Sequence, residues 1–316
     1  MIPKIVSPKP SFQPMPAPRW AAPPTFAAEA SDAAFMAGGA LYPLDQIVRA
    51  EFDWVGAWRQ RLALKCAAAA VRLTGRSEDE ASLRDAWLLR KPGDDPGPAG
   101  QILAAWKRLA SRSAALDVDV MQTIAGMLGI KWDEPLATLV QSFDDLGLTG
   151  SAAPFAAAAI MRETLATRPD AEVLGWWLAD LLLAQKLRWS VPVPLLMGQR
   201  FSSVFRAEGG RGRIRPGDDG FERAICLALV HAATEAGRLA TEIARRADRL
   251  AAVTPKLRSK GADDGLRLLL CEDAVSGSLQ TQNLSRFASR RLFERLQQLD
   301  AVRELSGRPT FRIYGL

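Results

Sequence analysis

Arg286, Arg290 and Gln297 are spaced four and seven residues apart, which places them on one side of a helix. Arginine and glutamine hydrogen-bond phosphates and base edges, so this spacing on an exposed helix is the chemistry of a major-groove reader. Arg308 and Arg312 follow in a short basic turn and are placed to touch the neighbouring phosphate backbone. From Thr281 to Leu316 there are seven basic and three acidic side chains, enough for weak nonspecific attraction to a polyanion. The competing reading gives the same segment to dimerisation or to a protein partner.

Other candidate chemistry is sparse. His231 is the single histidine and lies among charged neighbours, which suits a solvated surface group. No G-x-S-x-G elbow, no phosphate loop ending in G-K-[ST] and no G-x-G-x-x-G after a strand occurs. Gly209-Gly210-Arg211-Gly212-Arg213 is rich in glycine but has no strand before it, so it reads as a flexible basic loop. Cys66, Cys226 and Cys271 are far apart in apolar surroundings and read as buried thiols in a reducing compartment. The tetrapeptide Pro-Gly-Asp-Asp occurs after Lys91 and again after Arg215. Asp94, Asp95, Asp218 and Asp219 could chelate a metal, but neither loop brings a third ligand. Helix capping by Asp95 and Asp219 is expected. Trp176, Trp177 and Trp189 could line a ligand pocket, though large aromatics at helical spacing more often fill a core. The sequence therefore predicts no cofactor, no metal and no recognisable catalytic site.

The elements that must carry these residues are helical. Apolar residues recur at helical spacing, and alternating runs are nearly absent before residue 300. The spacing predicts helices over Asp32–Ala50, Val55–Leu73, Ala81–Arg90, Gly100–Ala110, Val118–Leu128, Pro154–Thr167 and Ala171–Leu187. Ser77 and Glu80 have the spacing of a capping box before the third of these. The longest helix is expected over Phe221–Ala252. Its seam is Ile225, Leu229, Ala232, Ala236, Leu239, Ile243 and Leu250, and His231, Glu235, Arg238, Glu242 and Arg249 lie opposite. After Pro255 the sequence predicts a short helix over Gly265–Cys271, a second over Leu284–Leu299, and two strands around Ser306–Pro309. On the second helix Leu284, Ala288, Leu292, Leu296 and Leu299 form the inward stripe.

The resulting architecture is mainly α, with a multi-helix domain followed by a small C-terminal winged helix-turn-helix and its β-hairpin wing. The expected domains are a disordered proline-rich tail over 1–28, an all-helical domain over 29–255 and a winged-helix-like domain over 256–316. Eight prolines fall in the first 24 residues, without the continuous apolar stretch of a signal peptide. No stretch is long and apolar enough to span a bilayer, so a cytoplasmic location without membrane contact is expected. The formal charge is +6, and residues 200–316 alone carry 21 basic against 14 acidic groups. That excess is mostly arginine, which suits phosphate partners.

The final stretch, LSRFASRRLFERLQQLDAVRELSGRPTFRIYGL, resembles the winged-helix tails that close many Fic-type proteins, and FERAICLALVHAATEAGRLATEIARRADRLAAV resembles the long helix before them. That resemblance implies an H-x-F-x-[DE]-G-N-x-x-R loop for nucleotidyl transfer. His231 to Arg238 matches only its ends and lacks the phenylalanine and the Gly-Asn pair. The inhibitory S-x-x-x-E-G pattern of that superfamily falls on Ala70 to Gly75, where Ala70 and Thr74 replace its serine and glutamate. Through WRQRLALKCAAAAVRL, RKPGDDPGPAG and RELSGRPTFRIYGL, the chain as a whole resembles the alphaproteobacterial family called domain of unknown function 1403. The expected function is a DNA-binding transcriptional regulator acting through its C-terminal winged helix. The alternative is a non-catalytic Fic-like scaffold for protein–protein interaction. The corresponding partners are duplex DNA, a second copy of the chain, or a protein from the same operon.

Overall fold

The helical spacing of the sequence is realised as eleven α-helices among the described residues, which are 16–21, 29–91, 93–207, 212–257, 261–307 and 310–316 of a computed structural model. They are α1 (Ala30–Arg49), α2 (Val55–Leu73), α3 (Glu80–Leu89), α4 (Gly97–Leu109), α5 (Val118–Met127), α6 (Glu134–Leu148), α7 (Ala153–Thr167), α8 (Glu172–Lys186), α9 (Phe221–Val253), α10 (Ala262–Cys271) and α11 (Arg286–Gln298). Strands β1 (Val275–Ser276), β2 (Arg303–Glu304) and β3 (Ile313–Gly315) form one antiparallel sheet in the order β1-β3-β2.

Helix α9 is the spine. At 1.5 Å per residue its 33 residues run about 50 Å. The seam read from the sequence is its buried side, with Ile225, Leu229, Ala236 and Ile243 all at 0% exposure. Helices α1 and α7 pack along it, and α8 lies against α7. Nearly every residue of α8 is buried, including Trp176 and Trp177. Trp176 meets Phe205 and Phe221 edge-on, and the Trp177 N–H donates to the Ala105 carbonyl at 3.0 Å. Trp189 donates to Asp45 at 2.9 Å. These tryptophans are core residues whose polar edges are satisfied.

Helix α6 has no counterpart among the sequence expectations. It buries only Leu136, Leu139 and Phe143, a stripe too thin to stand out beside Pro135 and Gly147. Its start signals are nevertheless present: Asp133 accepts from the Leu136 N–H at 3.2 Å, and Pro135 sits in the first turn.

Several local expectations are corrected. The cap of α3 is Asp79, accepting from the Ser82 N–H at 2.8 Å, instead of a Ser77–Glu80 box. A carboxylate closer to the first turn outcompetes the serine. Asp95 accepts from the Gly97 N–H at 3.0 Å, but the N-cap of α4 is Pro96, without a side-chain bond, and Asp219 does not cap α9, whose N-cap is Gly220 at φ 81°, also without one. The two Pro-Gly-Asp-Asp segments share a different device. Asp94 and Asp218 each reach back to the N–H three residues earlier, on Lys91 at 3.2 Å and on Arg215 at 2.8 Å. Their own N–H groups return to the same residues' carbonyls. Gly93 at φ 90° and Gly217 at φ 96° supply the left-handed position that such a turn requires. Cys66 and Cys226 are buried, whereas Cys271 is exposed at the end of α10.

Of the proline-rich segment, residues 16–21 are described. Arg19–Ala21 form a 3₁₀ turn, Ala21 is buried, and the Trp20 ring stacks on Phe35 of α1 at 4.9 Å. The rest of the segment expected as a tail lies outside the described residues. So do Arg308 and the glycines at 209 and 210.

Candidate nucleic-acid interface

Ser285 caps α11 by accepting from the Ala288 N–H at 3.3 Å, so the helix begins at Arg286. Its inner face is held by the small sheet and by α10. Phe293 stacks on Tyr314 of β3 at 5.2 Å and 6° between planes. The Ser289 hydroxyl donates to the Gly277 carbonyl at 3.2 Å, just after β1. Leu292 and Phe293 close over Gly265 of α10, where an added Cβ would meet Leu292 at 3.1 Å. Leu292 and Leu296 are buried as expected, and Ser289 and Phe293 join them.

The outer face is free of such contacts. Arg286, Arg290 and Gln297 are exposed. With 100° of turn per residue, the middle of the exposed side falls on Phe287, Arg291, Glu294 and Gln298. Arg286, Arg290 and Gln297 form one flank and Arg295 the other. The expected trio is therefore brought together, but it is only part of a broader surface with four arginines and one exposed phenylalanine. Phe287 is 76% exposed. Sequence reasoning passed over it because its neighbours on the helical wheel were read only for charge. Among the described residues no carboxylate pairs with Arg286, Arg290 or Arg291, and Arg295 meets only the Gln298 side chain at 3.5 Å.

The residues just before β3 behave differently. Arg312 is exposed but lies 3.9 Å from Glu304, and the Tyr314 hydroxyl and this carboxylate raise its pKa above the ordinary arginine value. Phe311, 60% exposed, holds φ at 59°, a backbone state that a bulky side chain rarely adopts. Arg308 lies outside the described residues, so its place relative to α11 is not described.

What keeps this surface in position is a buried ion cluster behind it. Asp273, between α10 and β1, receives Arg61 of α2 and Arg84 of α3. Arg61 Nε bonds one carboxylate oxygen, and Arg84 Nε bonds the other at 2.5 Å. Arg61 also donates to the Asp273 carbonyl at 2.8 Å and to the Leu316 carbonyl at 3.4 Å. Burial by itself would push the Asp273 carboxyl up, and the two guanidiniums more than offset it, holding the group below the usual carboxylate range. Beside it Lys107 reaches Glu272 at 2.7 Å and Gln60 at 2.8 Å. Further along, Arg303 pairs with Glu242 of α9, and Arg249 meets Asp300 at 3.0 Å. One continuous cluster of buried apolar side chains runs from α1 through α11 and the sheet. Gly56 of α2 lets α10 approach so closely that an added Cβ would lie 2.9 Å from the Cys271 Cα.

The sequence profile of a family described as protein of unknown function (DUF1403) matches residues 8–316, which takes in α11, the sheet and the ion cluster together. The chain belongs to this family. No curated protein matches it.

Elsewhere in this DUF1403 chain, two of the three thiols are buried. Burial pushes the Cys226 thiol up to about 12 and the Cys66 thiol well above its ordinary value, so neither is a ready nucleophile. Asp180 of α8 is fully buried and accepts the Leu195 and Leu196 N–H groups, both at 3.0 Å. It pins the segment after Val191-Pro-Val-Pro194 to the core, and burial raises its pKa to about 7 against the pull of those two donors. His231 is half-buried on α9. Among the described residues, no three His, Cys, Asp or Glu side chains converge as a metal site would require. No described helix is long and apolar enough to cross a membrane.

Proposed function

We propose that the chain binds duplex DNA through the outward face of α11, as a regulator whose C-terminal unit works as a winged helix. The observation that carries this reading is the set of exposed arginines at 286, 290 and 291 with no carboxylate partner among the described residues, on a helix whose opposite face is locked down. Unpaired surface arginines are inexpensive in water, and they gain most when they release counterions from a phosphate backbone. The element order helix, strand, helix, strand, strand and the sheet order β1-β3-β2 also support it, because a winged helix places its reading helix against such a sheet. Between β1 and α11 the chain makes only a turn at 277–278 and a bend at 282–283. The helix that usually precedes a reading helix is therefore lacking there, and backbone contacts would fall to Arg308 and Arg312.

The test is fluorescence anisotropy of a labelled duplex titrated with the full chain at about 50 mM and about 200 mM salt. Saturable binding that weakens steeply with salt is the expected result. Binding absent at both concentrations overturns the reading.

A second reading, a non-catalytic scaffold that docks a protein, is favoured by Phe287 and Phe311. Exposed aromatics of this size are frequent anchors of protein interfaces. If the face serves a protein or a second copy of the chain, Phe287→Ala abolishes that association while salt has only a modest effect.

A further inference from the structure

Four arginines gather about Phe201, far along the chain from α11. The Arg72 guanidinium, in the last turn of α2, stands over the Phe201 ring with its carbon 4.3 Å from the centroid, and the Arg213 guanidinium is 5.4 Å from the same centroid. Arg206 and Arg213 face each other as an antiparallel bridge pair, which brings their side chains to one side of the bridge. Arg200, 7% exposed, precedes Phe201 directly.

Among the described residues the charge here is only partly balanced. Arg200 bonds Glu172 at 2.7 Å. Arg213 spends its donors on the carbonyls of Arg200, Phe201 and Ser202, at 3.1, 3.0 and 3.3 Å, which cancels no charge. Among the described residues, Arg72 and Arg206 have no carboxylate partner, and both are exposed. Burial first, then Arg200, Arg206 and Arg72, lowers the Arg213 pKa. Two buried donors on either side of Phe201, Arg200 Nη1 and Ser202 Oγ, also have no hydrogen-bond partner. Buried donors left unpaired and cations left in mutual repulsion both cost stability, and an anion would relieve both.

We propose that this cluster is a binding site for a small phosphate-bearing anion, independent of the α11 face. One carboxylate would neutralise one of the three guanidiniums that Glu172 leaves uncompensated. A phosphoryl group carries close to two negative charges and three acceptor oxygens, matching guanidiniums that arrive from α2 and from the bridged pair Arg206 and Arg213. Arginine's fixed fork suits such oxygens better than lysine's single ammonium would.

The test is thermal melting of the full chain with inorganic phosphate, and separately with glycerol 3-phosphate, each balanced against sodium chloride at constant ionic strength. The expected result is a saturable rise in melting temperature. A rise with both anions assigns the site to the phosphoryl group itself, and a rise with the ester alone assigns it to a phosphate ester. No saturable rise with either overturns the proposal. Arg206→Ala and Arg72→Ala remove exposed side chains and should each raise the half-saturating concentration about tenfold. If Arg72→Ala loses the fold through its contact with Phe201, Arg206→Ala carries the comparison alone. Arg286→Ala with Arg290→Ala should leave the phosphate response unchanged. An unchanged half-saturation in Arg206→Ala, or its loss in the α11 variant, contradicts a site at Phe201.

Discussion

Arg61 and Arg84 are 17% and 11% exposed and converge on one buried carboxylate, whereas Arg286, Arg290 and Arg291 lie in the open with no such partner among the described residues. Both sets belong to the same corner of the molecule, on opposite sides of the α10–β1–α11 unit. The inner set is committed to structure: its charge is consumed, and its removal would strand charge in a low-dielectric interior. The outer set makes no ion pair among the described residues, and in the proposed reading its charge meets a phosphate backbone. Position relative to a buried carboxylate, more than residue type, separates the arginines committed to structure from those left exposed.

The largest effect is expected at the inner set. Asp273→Ala leaves two partly buried guanidiniums without their counter-charge and should destabilise the chain by about 3–5 kcal/mol, measured by urea unfolding. Because the folded-state pKa of Asp273 is depressed, its contribution is present above the unfolded value of 3.8 and is lost as pH falls through the folded one. A variant that unfolds within about 0.5 kcal/mol of wild type would mean that the ion cluster does not secure the unit.

Asp180 sharpens the contrast, being a buried carboxylate with no cation against it. Its pKa rises from 3.8 to about 7 on folding, so the folded chain keeps a proton that the unfolded chain releases. Stability from this group is therefore full at low pH and declines as pH rises through that window. The unfolding free energy of Asp180→Asn should gain on wild type between pH 4 and pH 7. A difference that stays constant with pH contradicts the assignment.

Gly56→Ala should cost about 1–3 kcal/mol, because the α2–α10 contact leaves no room for a methyl group. At the outer set the expectation reverses. Arg286→Ala with Arg290→Ala should change stability by less than about 0.5 kcal/mol, as surface substitutions away from buried networks do.

The same distinction explains what could be read from the sequence. The seam of α9, the inward leucines of α11 and the mainly helical architecture follow from apolar periodicity, which local spacing expresses directly. The trio Arg286, Arg290 and Gln297 was legible for the same reason. Asp273 was not, because its partners on α2 and α3 are 212 and 189 residues away in the chain. Its meaning arises only when the helices pack. Phe201 and its arginines escaped likewise, since Arg72 of α2 and Arg213 meet at its ring only in three dimensions. Asp219 misled because its spacing to Glu222 imitates a capping box, while Gly220 supplies the turn without any side-chain bond. The short strand β1, two residues long, is stabilised by β3 nearly forty residues later and carries no alternating signature of its own.

The account rests most directly on the outer arginines binding a phosphate backbone. Its decisive measurement is the dependence of duplex affinity on salt for the full chain and for Arg286→Ala with Arg290→Ala. Each phosphate contact contributes about one unit to the log–log slope, so the double variant should bind more weakly with a slope flatter by about two, at unchanged stability. Equal slopes for the two proteins would contradict the assignment of α11 as the DNA-binding face.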